Sequence, residues 1–320
     1  MKLVDRIDGW QQRHRIPAFV VGVVKKFGDD RGGHLAALLT YYGFLATFPL
    51  LLLFLTILSY LAHDHPQLRQ DLLNTALADF PVVGQELRSN VGALNGNSVA
   101  LVVGAVGLVW GSLGVANVAQ HAMAQMWSVP GPRRPSFLAR IARSLLVLGV
   151  LALAIGGTAA LTSLATLVPA TALVPVVSTL GILVLNAGLY WLAYRVLTPA
   201  EVATRALLPG AIVGGVAWTG LQILGSWLVA RQLRHTSQLY GTFGVVLGLL
   251  FFLYLAAQIV VYAAEVNVVR ARHLAPRSLA PPPLTLADRV VLADVVTTEQ
   301  RRPEQSVVVT FERPVEESAG

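Results

Sequence analysis

Of 320 residues, 55% are hydrophobic and 13% charged, the mean hydropathy is +0.63, and no cysteine occurs. A soluble domain carries about 25% charged residues, so an ordinary water-soluble chain is excluded, as are disulfides, thiolate metal sites and cysteine nucleophiles. The net charge of +7 would suit nucleic acid, but its distribution along the chain points to membrane topology instead.

Residues 1–34 form a basic, partly amphipathic cytoplasmic leader. Ile7 and Trp10 come first, then Phe19, Val20, Val21, Val23 and Val24, then Lys25 and Lys26, which predicts a helix lying at the membrane interface. Six apolar blocks follow, at 35–61, 98–118, 144–168, 176–197, 206–230 and 242–268. Each supplies the roughly 20 apolar residues that a helix needs to cross a bilayer. The first block is too long and starts too late for a cleaved signal sequence. Pro49 within it removes the bond to the Leu45 carbonyl and predicts a kink, with Tyr41 and Tyr42 two turns before.

Between blocks one and two, Leu68, Leu72, Leu73, Ala76, Leu77 and Phe80 recur at helical spacing and predict an external amphipathic helix. Block two carries Gly104, Gly107, Gly111 and Gly114 on one helical face, continued by His121 and Gln125. Small residues let helix backbones approach in lipid, so this face serves as a helix seam or as a cavity wall. Pro130, Gly131, Pro132 and Pro135 mark the next turn, and Pro169 and Pro175 the one after block three. Block four carries a weaker polar stripe of Asn186, Tyr190 and Tyr194.

Block five opens with Pro209-Gly210-Ala211, where proline suits a first helical turn. Gly210 and Gly214 form a second close-packing pair, and Gln222 falls near mid-membrane, where a buried amide needs a partner. In block six, Tyr254, Gln258, Tyr262 and Glu265 fall in one stripe that should face the bundle interior. With Gln222 and Asn186 they are the candidate pathway residues. Glu265 is the only carboxylate in any block and is expected near the cytoplasmic boundary. It reads either as a proton-coupling or headgroup-binding group, or as an interfacial carboxylate paired with Arg270 or Arg272.

Residues 35–270 thus form the membrane domain, an all-α six-transmembrane helix bundle. Residues 271–320, with Pro281-Pro282-Pro283 and a mixed-charge run, read as a disordered cytoplasmic tail. Grouping Lys and Arg by alternate gaps places twenty on one side and four on the other. The positive-inside rule then puts both termini in the cytoplasm.

No Walker A, HExxH or GxSxG motif occurs, so no catalytic residue, metal or cofactor is expected and the chain is not read as an enzyme. His63-Asp64-His65 is a lone triplet, read as solvated.

Three motifs in order carry a resemblance. Ala36 to Pro49, with Tyr41 and Tyr42, resembles the first-span signature of the YihY/virulence factor BrkB family. Leu208-Pro209-Gly210-Ala211, with Trp218 further on, resembles its fifth-span motif. Tyr240-Gly241-Thr242-Phe243-Gly244, then Tyr254 and Ala264-Glu265-Val266-Asn267, resembles its closing pattern, with Ala263 where a glycine is usual.

The resemblance covers about residues 20–270. It implies a six-span inner-membrane protein of the cell envelope, a transporter or flippase-like protein for a lipid or envelope component. The alternative is a structural or scaffolding membrane protein. Membrane lipids are the expected partners, with a homo-oligomer or an envelope protein as further ones, and no nucleic acid. Members have been labelled ribonuclease BN, but the chain has no HxHxDH cluster to match.

Overall fold

A computed structural model describes residues 2–61, 98–131, 136–167, 174–198, 201–232, 241–279 and 283–311. The expected external helix, His63-Asp64-His65, Pro132, Pro135, Pro169 and Tyr240 lie outside the described residues. Two helices, α1 (Lys2–Arg13) and α2 (Arg15–Asp29), precede six long ones. These are α3 (Gly32–Leu61), α4 (Ser98–Met126), α5 (Phe137–Leu167), α6 (Val174–Leu197), α7 (Leu208–Gln232) and α8 (Gly241–Ala271). A short 3₁₀ turn, Thr204–Leu207, leads into α7, and α9 (Leu286–Thr298) follows α8.

Among the described residues, four stretches, Val102–Met126, Val177–Leu197, Thr204–Gly225 and Val246–Ala271, are long and apolar enough to cross a membrane. Helices α3 and α5 have matching lengths, 30 and 31 residues. The distribution of side chains is that of a membrane bundle. Trp110 is 81% exposed and Val184 72%, whereas Ala116 and Ala122 are buried. Lipid tails are as apolar as these large side chains, so small residues go to the helix contacts instead.

Helix α4 lies along α3, α3 also meets α8, and α6, α7 and α8 pack in sequence. A Cβ on Gly107 would come within 2.9 Å of Pro49 Cβ, and one on Gly111 within 2.9 Å of Ala46 Cα. Gly114 abuts the Tyr42 ring, and Gly104, one turn before Gly107, is buried. The glycine face is therefore a seam with α3. Pro49 is accommodated against Gly107, and α3 runs through it as one helix. His121, expected on this face, is exposed.

The densest core gathers at one end of the bundle. It contains Leu35, Ala36 and Leu39 from the start of α3, and Ala119, Ala122, Met123 and Met126 from the end of α4. Tyr194 and Leu197 end α6, Ala211 starts α7, and Val261, Ala264, Val268 and Val269 lie toward the end of α8. Starts and ends alternate in this list because successive helices run antiparallel. The N- and C-terminal segments pack at this same end, since Val23 and Val291 belong to the same cluster.

Two expectations from the sequence need correction. The leader is two helices, and α2 packs on α8, burying Ala18, Gly22, Val23 and Lys26. Only its other face, Ile16, Val20 and Val24, is exposed.

Nor is the segment after 271 disordered throughout. Residues 286–298 form α9, and Ala287 and Val291 are buried one turn apart. Thr285 accepts from the Asp288 backbone N–H while the Asp288 carboxylate accepts from the Thr285 N–H. This reciprocal cap satisfies two amide donors of the first turn. The proline triplet and mixed charges obscured that signal.

Candidate functional site

The polar stripe of α8 divides in the structure. Tyr254, Gln258 and Tyr262 are half-buried, whereas Glu265 is fully enclosed. Gln258 and Tyr262 line a laterally open groove of about 320 Å³ between α7 and α8, whose walls include Val213, Ala217, Leu221 and Leu255. A larger groove of about 750 Å³ between α5 and α6 is lined by glycines and aliphatic residues alone. Of these two grooves, the smaller combines an apolar trough with an amide and a phenol.

Other polar residues singled out in the sequence tie helices together or stand elsewhere on them. Asn186 is buried and its Nδ2 donates to Thr219 Oγ1 at 3.1 Å, tying α6 to α7. Tyr194 donates to the Val260 carbonyl at 2.8 Å, tying α6 to α8, and stands edge-on to Tyr190. Tyr190 in turn fills the space beside Gly214. Gln222 is half-buried on α7, and Tyr41 is exposed and edge-on to Tyr42.

Below the stripe sits a buried charged cluster. Lys26 is fully enclosed; its Nζ donates to the Asp30 carboxylate one turn on and to the Met126 carbonyl at 3.2 Å. Asp30 is 2% exposed and Glu265 0%. Burial pushes the Asp30 carboxyl above its ordinary range, although Lys26 pulls the other way. Phe27 stacks at 3.9 Å on Tyr262, which also lines the groove. Arg270 and Arg272, the expected partners of Glu265, do not serve it. Arg270 is exposed, and Arg272 pairs with Asp294 at 2.7 Å and donates to Ser128.

A second polar cluster clamps the two terminal segments together. Arg277, 2% exposed, donates to Asp288 at 2.8 Å and to Asp29 at 2.5 Å. Its carbonyl accepts from the Gln11 amide at 2.7 Å. Lys25 reaches Asp288 at 3.3 Å. Asp8 accepts from Ser278 Oγ at 3.1 Å and from the Leu279 N–H at 2.9 Å. Burial works against the Asp288 charge, but the Ser278 N–H, Arg277 and Thr285 outweigh it and hold the carboxyl at about 2. The same balance, won by the Leu279 N–H and Gln11, lowers Asp8.

The profile of the virulence factor BrkB family matches residues 23–284, most of the chain. The chain belongs to the virulence factor BrkB family. It is also similar to inner membrane protein YhjD of Escherichia coli (strain K12), 24% identical over 275 residues covering 79% of this chain and 81% of that protein. No solved structure matches.

The family resemblance rests on motif residues that the fold brings together. Asn267, 1% exposed, accepts at its Oδ1 from the Gly210 N–H at 2.6 Å. It thereby satisfies one of the free amides at the start of α7. Pro209, just before, has no amide to satisfy. A Cβ on Gly210 would lie 1.9 Å from the Ala263 carbonyl oxygen. Ala263, where the family pattern usually has glycine, is itself 1% exposed, so the close approach of α7 and α8 depends on Gly210. Trp218 packs toward Phe252 at 6.1 Å. Gly241 opens α8.

Sequence reasoning missed Lys26, Asp30, Asp8, Arg277 and Asp288. Lys26 and Asp30 carried a signal in their opposite charges four residues apart. Thr285-Leu286-Ala287-Asp288 carried another in the capping-box spacing. Arg277 had none, because its partners lie 248 and 11 residues away.

Proposed function

We propose that this membrane protein is a flippase-like transporter of a lipid or lipid-linked envelope component in the cytoplasmic membrane. The observation that supports it is the groove between α7 and α8. It opens sideways, where bilayer lipid would stand, and its aliphatic walls suit an acyl chain. Gln258 and Tyr262 offer a hydrogen-bonding edge of the kind a headgroup or glycerol backbone needs. An aqueous pathway for a small ion would call for a polar lining instead.

In this reading the packed end faces the cytoplasm with both termini. The asymmetry of Lys and Arg, and the seven that precede His34, favour that orientation. Lipids are the principal partners, and an enzymatic role, ribonuclease included, is not part of the reading. The Escherichia coli relative YhjD is named as an inner membrane protein, and the same location is proposed for this chain.

A scaffolding role is the second reading. Val4, Ile7 and Trp10 form an exposed apolar face on α1 near Arg6 and Arg13, suited to anionic lipid or to a partner protein.

Native mass spectrometry of the detergent-released protein checks the groove. The wild-type chain should retain phospholipid adducts, and Gln258→Leu should lose most of them while keeping its thermal stability. Equal adducts in both proteins would remove Gln258 from lipid recognition.

A further inference from the structure

Lys26, Asp30 and Glu265 place one ammonium and two carboxyl groups where water does not reach, at 0%, 2% and 0% exposure. The ammonium is already committed to Asp30 and to the Met126 carbonyl. Neither oxygen of Glu265 finds a hydrogen-bond donor among the described residues. The Phe27–Tyr262 stack at 3.9 Å sets this turn of α2 against α8, and the buried Asp30 carboxyl is a polar neighbour of Glu265 there. Two carboxylates have no proton to share and only repel. The contact becomes a hydrogen bond when one of the pair carries a proton. That same proton also balances the charge: one cation, one carboxylate and one neutral acid sum to zero.

The groups acting most strongly on Glu265 are Lys26, Asp30 and Asp29, all from α2 and the residue following it. Asp29 is already held by Arg277. On α8 itself, Arg272 is taken by Asp294 and Tyr262 is stacked on Phe27. Among the described residues no cation forms a salt bridge with Glu265.

We propose that Asp30 and Glu265 form a proton-binding site that holds one shared proton beside Lys26, between α2 and α8. Release of the proton leaves a net negative charge buried across this contact. A buried unpaired charge is strongly unfavourable, so deprotonation weakens the packing of α2 on α8. The fold thereby links one proton to the position of the helix whose Phe27 covers Tyr262 beside the groove. The proton site does not depend on what the groove carries.

Infrared spectra of the full-length protein in lipid nanodiscs, recorded as a function of pH, test this directly. Wild-type protein should show a protonated-carboxyl C=O band at neutral pH that disappears on titration to alkaline pH. The band should be lost in Glu265→Gln, which leaves Asp30 ionised on Lys26. It should be lost equally in Asp30→Asn, which gives Lys26 to Glu265. A wild-type protein without the band at neutral pH overturns the proposal, and so does a band that persists in either variant. The wild-type titration carries the test even if one variant does not fold.

Discussion

Gly210→Ala is expected to give little folded protein. The added methyl would sit 1.9 Å from the Ala263 carbonyl oxygen and 2.5 Å from Asn267 Nδ2. The nearest obstacle is backbone in a packed helix, so no side-chain rotation relieves it. Overpacking typically costs about 1–3 kcal/mol and occasionally more, and an obstacle of backbone at 1.9 Å belongs at the upper end. Alanine gains at most about 1 kcal/mol over glycine in helix propensity, so the clash decides the sign. The shift that relieves it would also pull the Gly210 N–H away from Asn267. Gly220, on the same helix, has open space where its Cβ would go. Gly220→Ala should therefore be neutral or slightly stabilising. Thermal unfolding of the two purified variants compares them, and equal midpoints would contradict the described α7–α8 contact.

The second large effect is expected at Arg277, whose replacement by alanine should detach the C-terminal segment while leaving the spanning helices folded. The side chain bridges Asp288 and Asp29, and Asp288 is 1% exposed. Removing one partner of a buried ion pair costs about 3–5 kcal/mol. Part of that is recovered because Asp29 is partly exposed and Lys25 still reaches Asp288. Limited proteolysis should cut within residues 283–311 of the variant under conditions that spare the wild type.

Acid should mimic this change. The Asp288 carboxyl is held at about 2 against an ordinary 3.8, so its contribution is fully present above about pH 4. It is lost as pH falls toward 2 and the carboxylate takes up its proton. Docking that weakens instead as pH rises from 5 to 8 would contradict the assignment.

Much of the architecture was legible because the bilayer constrains it. Apolar blocks about twenty residues long gave the long helices, and the glycine spacing on α4 gave its seam. The motifs at Leu208-Pro209-Gly210-Ala211 and Glu265-Val266-Asn267 were visible, but their contact was not: Gly210 and Asn267 are 57 residues apart. Of the stripe ending at Glu265, only Glu265 is enclosed while Tyr254, Gln258 and Tyr262 are half-buried, and the neighbours of Glu265 were misassigned. Arg270 lies five residues on, about 140° around the helix, while the true partners arrive from α2. That helix was legible as amphipathic, but its buried face depends on a docking partner that local pattern does not name. In the tail, average composition hid a short capped helix whose order comes from Arg277 and Asp288.

Transbilayer lipid movement in proteoliposomes tests the central claim most directly. Purified protein should move fluorescent phospholipid between leaflets well above the rate in protein-free vesicles. Gln258→Leu should bring that rate down at least several-fold without loss of folded protein. A wild-type rate equal to that of protein-free vesicles, across anionic and zwitterionic lipids and with or without a pH gradient, would contradict lipid transport and leave the scaffolding role as the reading.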